Sequence, residues 1–187
     1  VNSVDDFLTY IQREEDVCYL RTPLLPVSMR LFESSMGYRE IIRNCCAYLK
    51  RVALMDLEGY KRPFGMSGAN LGIPFNIVGV VYARNTPMAF CEVLLNPRIK
   101  EYQGPLEYSN SNCGSLRLAQ NLEVLRYDNV LVRYHDEEGK AHERWFNRTQ
   151  GSYTLQHEVD HNLGILITDS GRAIPDANRS EISRTID

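Results

Sequence analysis

The sequence predicts an α+β fold, a mainly antiparallel sheet around one central metal-binding helix. Three observations predict it. Apolar residues recur at helical spacing early in the chain, and β-branched and apolar runs separated by turns fill its middle. A second helical stretch near the end carries His157-Glu158-Val159-Asp160-His161. The 187 residues are read as one domain, with 1–15 and 171–187 as peripheral extensions.

Taken in order, residues 1–15 form a short helical turn. In DVCYLRTPLLPV (16–27), Pro23 and Pro26 favour an extended strap over the surface. From 29 to about 58, Leu31, Ile41, Ile42, Cys45, Cys46, Leu49 and Val52 fit one long amphipathic helix, with Tyr38 as an alternative start. PFGMSGANLGIP (63–74) is a turn-rich loop. Strands follow at 76–83 and 88–95, joined through Arg84-Asn85-Thr86-Pro87, the second closed by Asn96-Pro97. Residues 104–115 are polar and irregular. Residues 122–140 read as two more strands, the second over 129–135 and ending at a Glu-Glu-Gly turn. A helix then runs from near Arg148 to near Gly164. No repeats or low-complexity tracts are visible.

Composition narrows the function classes. Hydrophobic residues at 43% and charged residues at 24% suit a globular chain with a core. Net charge is −3 and the 21 basic residues are scattered, which argues against a nucleic-acid or anionic-membrane partner. No apolar run is long enough to cross a bilayer. The five cysteines, Cys18, Cys45, Cys46, Cys91 and Cys113, are odd in number and form no spaced framework. They imply a reducing compartment, with most of them buried as small hydrophobes. The adjacent Cys45 and Cys46 point to different sides of a helix and read as packing. The chain begins Val-Asn-Ser without Met, so a processed product is one expectation, and a targeting peptide removed from it would leave no trace in the sequence.

The strongest chemical signal is the pair His157 and His161. On a helix, residues four apart share a face, so both imidazoles reach one divalent ion. Glu158 lies beside them as a general acid/base, able to take a proton from water activated there and to deliver it to a leaving group. With four histidines in the whole chain, this spacing around a Glu outweighs the reading of two solvent-facing histidines. A catalytic site needs a third protein ligand. Cys113, Asp169, Glu181 and another carboxylate are the candidates. Cys113 sits in the small-residue loop SNSNCGS, outside any apolar periodicity, and on these grounds it and a carboxylate both stay open. Asp160 and Gln156 either orient a ligand or face solvent. Arg117 and Arg133 either meet a peptide or form a solvated face.

TLQHEVDHNLGILITD closely resembles a signature of the peptide deformylase family, QHExDHLxG followed by apolar residues and an acid. SNCGS at 111–115 is similar to the family's EGCLS loop, GANLGIPF at 68–75 to GxGLAAPQ, and 93–97 to VLINP. Residues 16–23 resemble DPVLRTP, so about 16–170 lie along the pattern. The resemblance implies removal of the N-formyl group from formyl-methionine of nascent polypeptides. It implies Cys113, His157 and His161 as ligands and Glu158 as acid/base. The ion is Fe2+ by this likeness, with Zn2+, Ni2+ or Co2+ as substitutes; the donor set alone does not choose. The backbone N–H of Gly114 and the loop residues Gly68, Asn70 and Phe75 fall at the oxyanion and substrate-binding positions.

The sequence also departs from that pattern. Phe75 stands where the family has a Gln that donates to the oxyanion, and losing such a donor costs about a hundredfold to a thousandfold in rate. Asn76 supplies an amide there only if the loop shifts by one residue, and Phe75 reads as packing before it reads as a substrate contact. Ser111 replaces a Glu that holds the Cys loop, Gly114 replaces a Leu, and Asn70 replaces a glycine. The expectation is therefore a metallo-amidohydrolase of uncertain efficiency acting on N-formylated peptides. Its alternative is a weakened relative that binds polypeptide N-termini or another amide. A zincin-type protease leaves Cys113 unexplained and ranks last. An organelle, the mitochondrion above all, is the expected location, or the cytoplasm if the source is bacterial. Oligomeric state is not legible.

Overall fold

A computed structural model describes residues 20–55, 62–116 and 121–173. The helical turn expected over 1–15, and Cys18, Arg117 and Glu181, lie outside them. Ahead of the first helix, the strap runs extended: Leu24 N–H donates to Asn162 O (2.9 Å), Leu25 N–H to Pro74 O (2.9 Å), and Asn76 N–H to Leu25 O (2.7 Å). Two prolines and no competing helix periodicity leave this segment free to pair with its neighbours.

The single long helix expected next is two helices, α1 (Met29–Ser34) and α2 (Met36–Ala53). Ser35 makes the break. It is extended (φ −122°, ψ 112°), its N–H closes α1 onto Leu31 O, and its hydroxyl accepts from Tyr38 N–H to open α2. Ser28 caps α1 in the same way through Leu31 N–H. On α2, Ile42, Cys46, Leu49, Val52 and Ala53 form the buried stripe. No described helix is long and apolar enough to span a membrane.

Five strands lie in the order β1 (Gly65–Ser67), β2 (Ile77–Tyr82), β3 (Phe90–Ser111), β4 (Leu122–His135) and β5 (Ala141–Phe146), all antiparallel. A short β6 (Arg172–Ala173) pairs with the start of β4. Three expectations need correction. The loop at 63–74 contains β1, followed by a 3-10 turn at Ala69–Leu71. The strand expected to close at Asn96-Pro97 continues to Ser111, absorbing the segment read as irregular. The two strands expected over 122–140 are one, and β5 was not anticipated. Register shifts between Leu95 and Arg98 and between Gln103 and Leu106 bracket Pro97 and Pro105, so each proline falls where the ladder is already interrupted. Asn96 takes a left-handed backbone (φ 52°), and its amide accepts from Val27 N–H (2.7 Å) and donates to Val27 O (2.8 Å), tying the strap to this kink.

Period-two alternation distributes the core. From β2, Ile77 and Val81 face α2, while Val78 and Val80 face the opposite layer with Leu94, Val130, Val132, Phe146 and Leu155. Gly79 faces α2 as well, where a Cβ would lie 2.3 Å from Leu49 Cδ2, so glycine lets the helix seat against the strand. Leu155 belongs to α3 (Ser152–Asn162), the helix carrying the two histidines. The sheet is thus sandwiched between α2 and α3. A 3-10 turn (Arg148–Gln150) leads into α3, and a short α4 (Ile167–Ser170) follows it.

Candidate metal centre

Three anchors fix α3 on the sheet. The Gln156 amide accepts from Tyr127 N–H (3.0 Å) and donates to Tyr127 O (2.8 Å), acting as one more strand partner for β4. Arg126 pairs with Asp160 at 2.6 Å, its side chain almost wholly enclosed. Tyr153 donates to Asp128 at 2.8 Å. Gln156 and Asp160 therefore hold the helix and leave the ligand face to His157 and His161.

One turn apart, His157 Nε2 and His161 Nε2 lie 3.1 Å from each other. Cys113, just beyond β3, brings its Sγ to 3.3 Å from His161 Nε2. The three ligand atoms all fall within 4.8 Å of one another. Bonds of the usual length to a tetrahedral ion put such donors about 3.3–3.6 Å apart, and the two separations that involve His161 match this to within a few tenths of an ångström. Cys113 and His161 are 2% and 1% exposed. Asp169, a candidate third ligand by sequence, instead pairs with Arg21 (2.5 Å) and accepts from Leu166 N–H. It is not in the group.

The electrostatics suit a cation. Burial, then the neighbouring His161 and Arg126, push His157 down to about 3; burial and Arg126 push His161 down to about 4. Both imidazoles are neutral with a lone pair to offer. Burial raises the Cys113 thiol to about 12, against the pull of the Ser115 hydroxyl and of the Ser115 and Leu116 backbone amides. A bound dication reverses that preference for the neutral thiol. Glu158 is 5% exposed, and burial raises it to about 8, with the Ser67 backbone amide and Arg126 acting the other way. Its Oε2 has no hydrogen-bond partner among the described residues, nor has His161 Nδ1.

The remaining site residues divide. Gly114 is exposed, and a Cβ there would meet nothing within 4 Å. At Gly68 a Cβ would sit 2.6 Å from Phe75 O, so that glycine is required by the turn itself. Asn70 bonds within the protein, to Ser67 and Ser115. Phe75 turns away toward α2, edge-on to Tyr38 with ring centres 6.1 Å apart. The next residue points the other way: Asn76 Oδ1 accepts from Asn162 of α3 at 2.7 Å. Arg133 pairs with Glu143 on the surface, away from the ligands. Sequence reasoning missed Arg126, Ser67, Ser115 and Asn162. Arg126 is the only one with a signal, a charge on an inward position of an alternating strand.

A family model described as polypeptide deformylase matches residues 39–176. A peptide deformylase of Picosynechococcus sp. is 30% identical over 105 residues, 56% of this chain and 55% of that one, so the chain spans about half the length of that relative. One of Streptococcus pyogenes is 24% identical over 161 residues, 80% of this chain and 78% of its own. The crystal structure of a peptide deformylase from Synechococcus elongatus in complex with actinonin superposes with a TM-score of 0.65 at 24% identity. It covers 89% of this chain and 82% of that one, a likeness of fold. With the match extending over most of its length, this chain belongs to the polypeptide deformylase family.

Proposed function

We propose that the protein removes the N-formyl group from formyl-methionine at the start of new polypeptides, using one divalent ion held by Cys113, His157 and His161. The observation that carries this reading is the convergence of those three donors beside a buried Glu158 whose Oε2 has no hydrogen-bond partner among the described residues. A divalent ion there supplies positive charge that polarises the formyl carbonyl and makes water easier to deprotonate. Fe2+ is the ion we favour, with Zn2+, Ni2+ and Co2+ as substitutes. Glu158 takes a proton from the attacking water and returns it to the departing amine; the formyl carbon–nitrogen bond breaks, leaving formate and a free amino terminus. The exposed N–H of Gly114 is the donor we assign to the oxyanion. The same reading puts the protein where formylated chains are made, an organelle such as the mitochondrion or a bacterial cytoplasm.

A second reading has one observation in its favour. Phe75 packs against Tyr38 and brings no donor to the position the family fills with Gln, which suits a protein that binds polypeptide N-termini and turns over slowly. Formate release from a formyl-Met peptide by iron-loaded, anaerobically prepared protein separates the two. Deformylation predicts release that falls on the order of a thousandfold in Glu158→Gln while the metal stays bound. No release from fully loaded protein supports the binding role.

A further inference from the structure

Neither proton transfer nor the hydrophobic core requires the bridge built around Asn70. Asn70 lies in the 3-10 turn after β1, and its Oδ1 accepts from the Ser67 backbone N–H (2.7 Å) and from the Ser67 hydroxyl (2.9 Å). Its Nδ2 donates to the Ser115 hydroxyl oxygen at 2.7 Å. Ser67 and Ser115 are both buried. Ser115 is two residues past Cys113, in the turn closed by Leu116 N–H on Cys113 O (3.1 Å). Accepting from Asn70, the Ser115 hydroxyl has its own proton left to give, and the tight turn places it close to Cys113. At the other end, the Ser67 amide faces the Glu158 carboxylate. One amide therefore spans the site, from the strand beside the acid/base to the loop carrying the thiol.

Apolar packing of Cys113 and Leu116 seats that loop without fixing its direction, and among the described residues few polar contacts add to it. Gly114 is exposed with open space around it, and the Ser111 hydroxyl reaches only Ser109 O, at 3.4 Å. A ligand on a loose loop must be ordered each time it takes up an ion, at a cost in affinity. We infer that Asn70 is a positioning residue for Cys113, fixing the 112–116 turn against the end of β1 through Ser115. The inference rests on reading Cys113, His157 and His161 as ligands, and does not depend on which substrate is processed.

The test uses the cobalt-loaded protein and two readouts other than turnover: the sulfur-to-cobalt charge-transfer absorbance and the rate of cobalt loss to a chelator. Asn70→Ala and Ser115→Ala should each speed cobalt loss by about tenfold or more, the usual effect of removing a group that supports a ligand. The double variant should lose cobalt no faster than the worse single one, because both changes cut the same bridge. Asn70→Asp keeps the acceptor for Ser67 and can take a bond from the Ser115 hydroxyl, so it should fall between wild type and Asn70→Ala. That variant carries the test if Asn70→Ala fails to fold. Wild-type cobalt loss from Asn70→Ala with the sulfur band intact overturns the inference alone, as do single effects that multiply in the double variant. A sulfur band that persists in Cys113→Ala overturns the ligand reading, and the inference with it.

Discussion

The two halves of the candidate metal centre are held in unlike ways. The half on α3 is fastened at three points, by Gln156 on Tyr127, Arg126 on Asp160 and Tyr153 on Asp128, over a fully buried Leu155. The half supplied by loops has Cys113 in a turn tied to the rest of the fold by apolar packing and, among the described residues, by the Asn70–Ser115 side-chain hydrogen bond, and a neighbouring loop wedged into the core by Phe75. A helix fixes two imidazoles relative to each other by its own geometry and needs only to be seated. A loop ligand has no such internal ruler, so its position depends on contacts made one at a time.

Breaking the helix half should produce the largest effect on stability. Arg126→Met leaves Asp160 partly buried without its cation, and should lower unfolding free energy by about 2 kcal/mol, measured by denaturant titration. A change below about 0.5 kcal/mol would mean that Gln156 and Leu155 seat α3 unaided. On the loop side, Phe75→Gln should cost about 1–2 kcal/mol, because an amide replaces an aromatic ring against Tyr38. It should not raise the rate of formate release, since this side chain faces α2. A faster enzyme would show that residue 75 turns toward the ligands when it carries a donor. Gly114→Leu should have the smallest effect, within about 0.5 kcal/mol, since a Cβ there meets only open space. A larger loss would reveal a tighter loop than the comparison allows.

How much was legible follows the same division. The pairing of His157 with His161 was readable because helical periodicity converts sequence spacing directly into a shared face. The core strand β2 was readable because both its faces are buried and its residues are β-branched. The outer part of β3 was not, since residues 100–108 are exposed on both faces and look like loop; their strand character comes from pairing with β4. The break at Ser35 hid because the apolar rhythm continues across it, and only the serines at 28 and 35, each three residues before the N–H it caps, gave a signal. The Asn70–Ser115 contact joins two loops far apart in the chain, and no local pattern encodes such a pair.

The strap carries a consequence for biosynthesis. Leu24 is one of the earliest described residues to leave the ribosome, yet its partner Asn162 is at the end of α3, and the Arg21 carbonyl packs where a Cβ on Gly164 would stand 2.4 Å away. Leu25 and Val27 meet their partners at Pro74, Asn76 and Asn96 midway through synthesis, whereas Leu24 must wait for Asn162 until most of the rest has been made. Because the same late segment brings both histidines, an ion held by them would be taken up only after nearly the whole fold is complete. The order of synthesis thus leaves the sheet half-assembled until its last helix arrives.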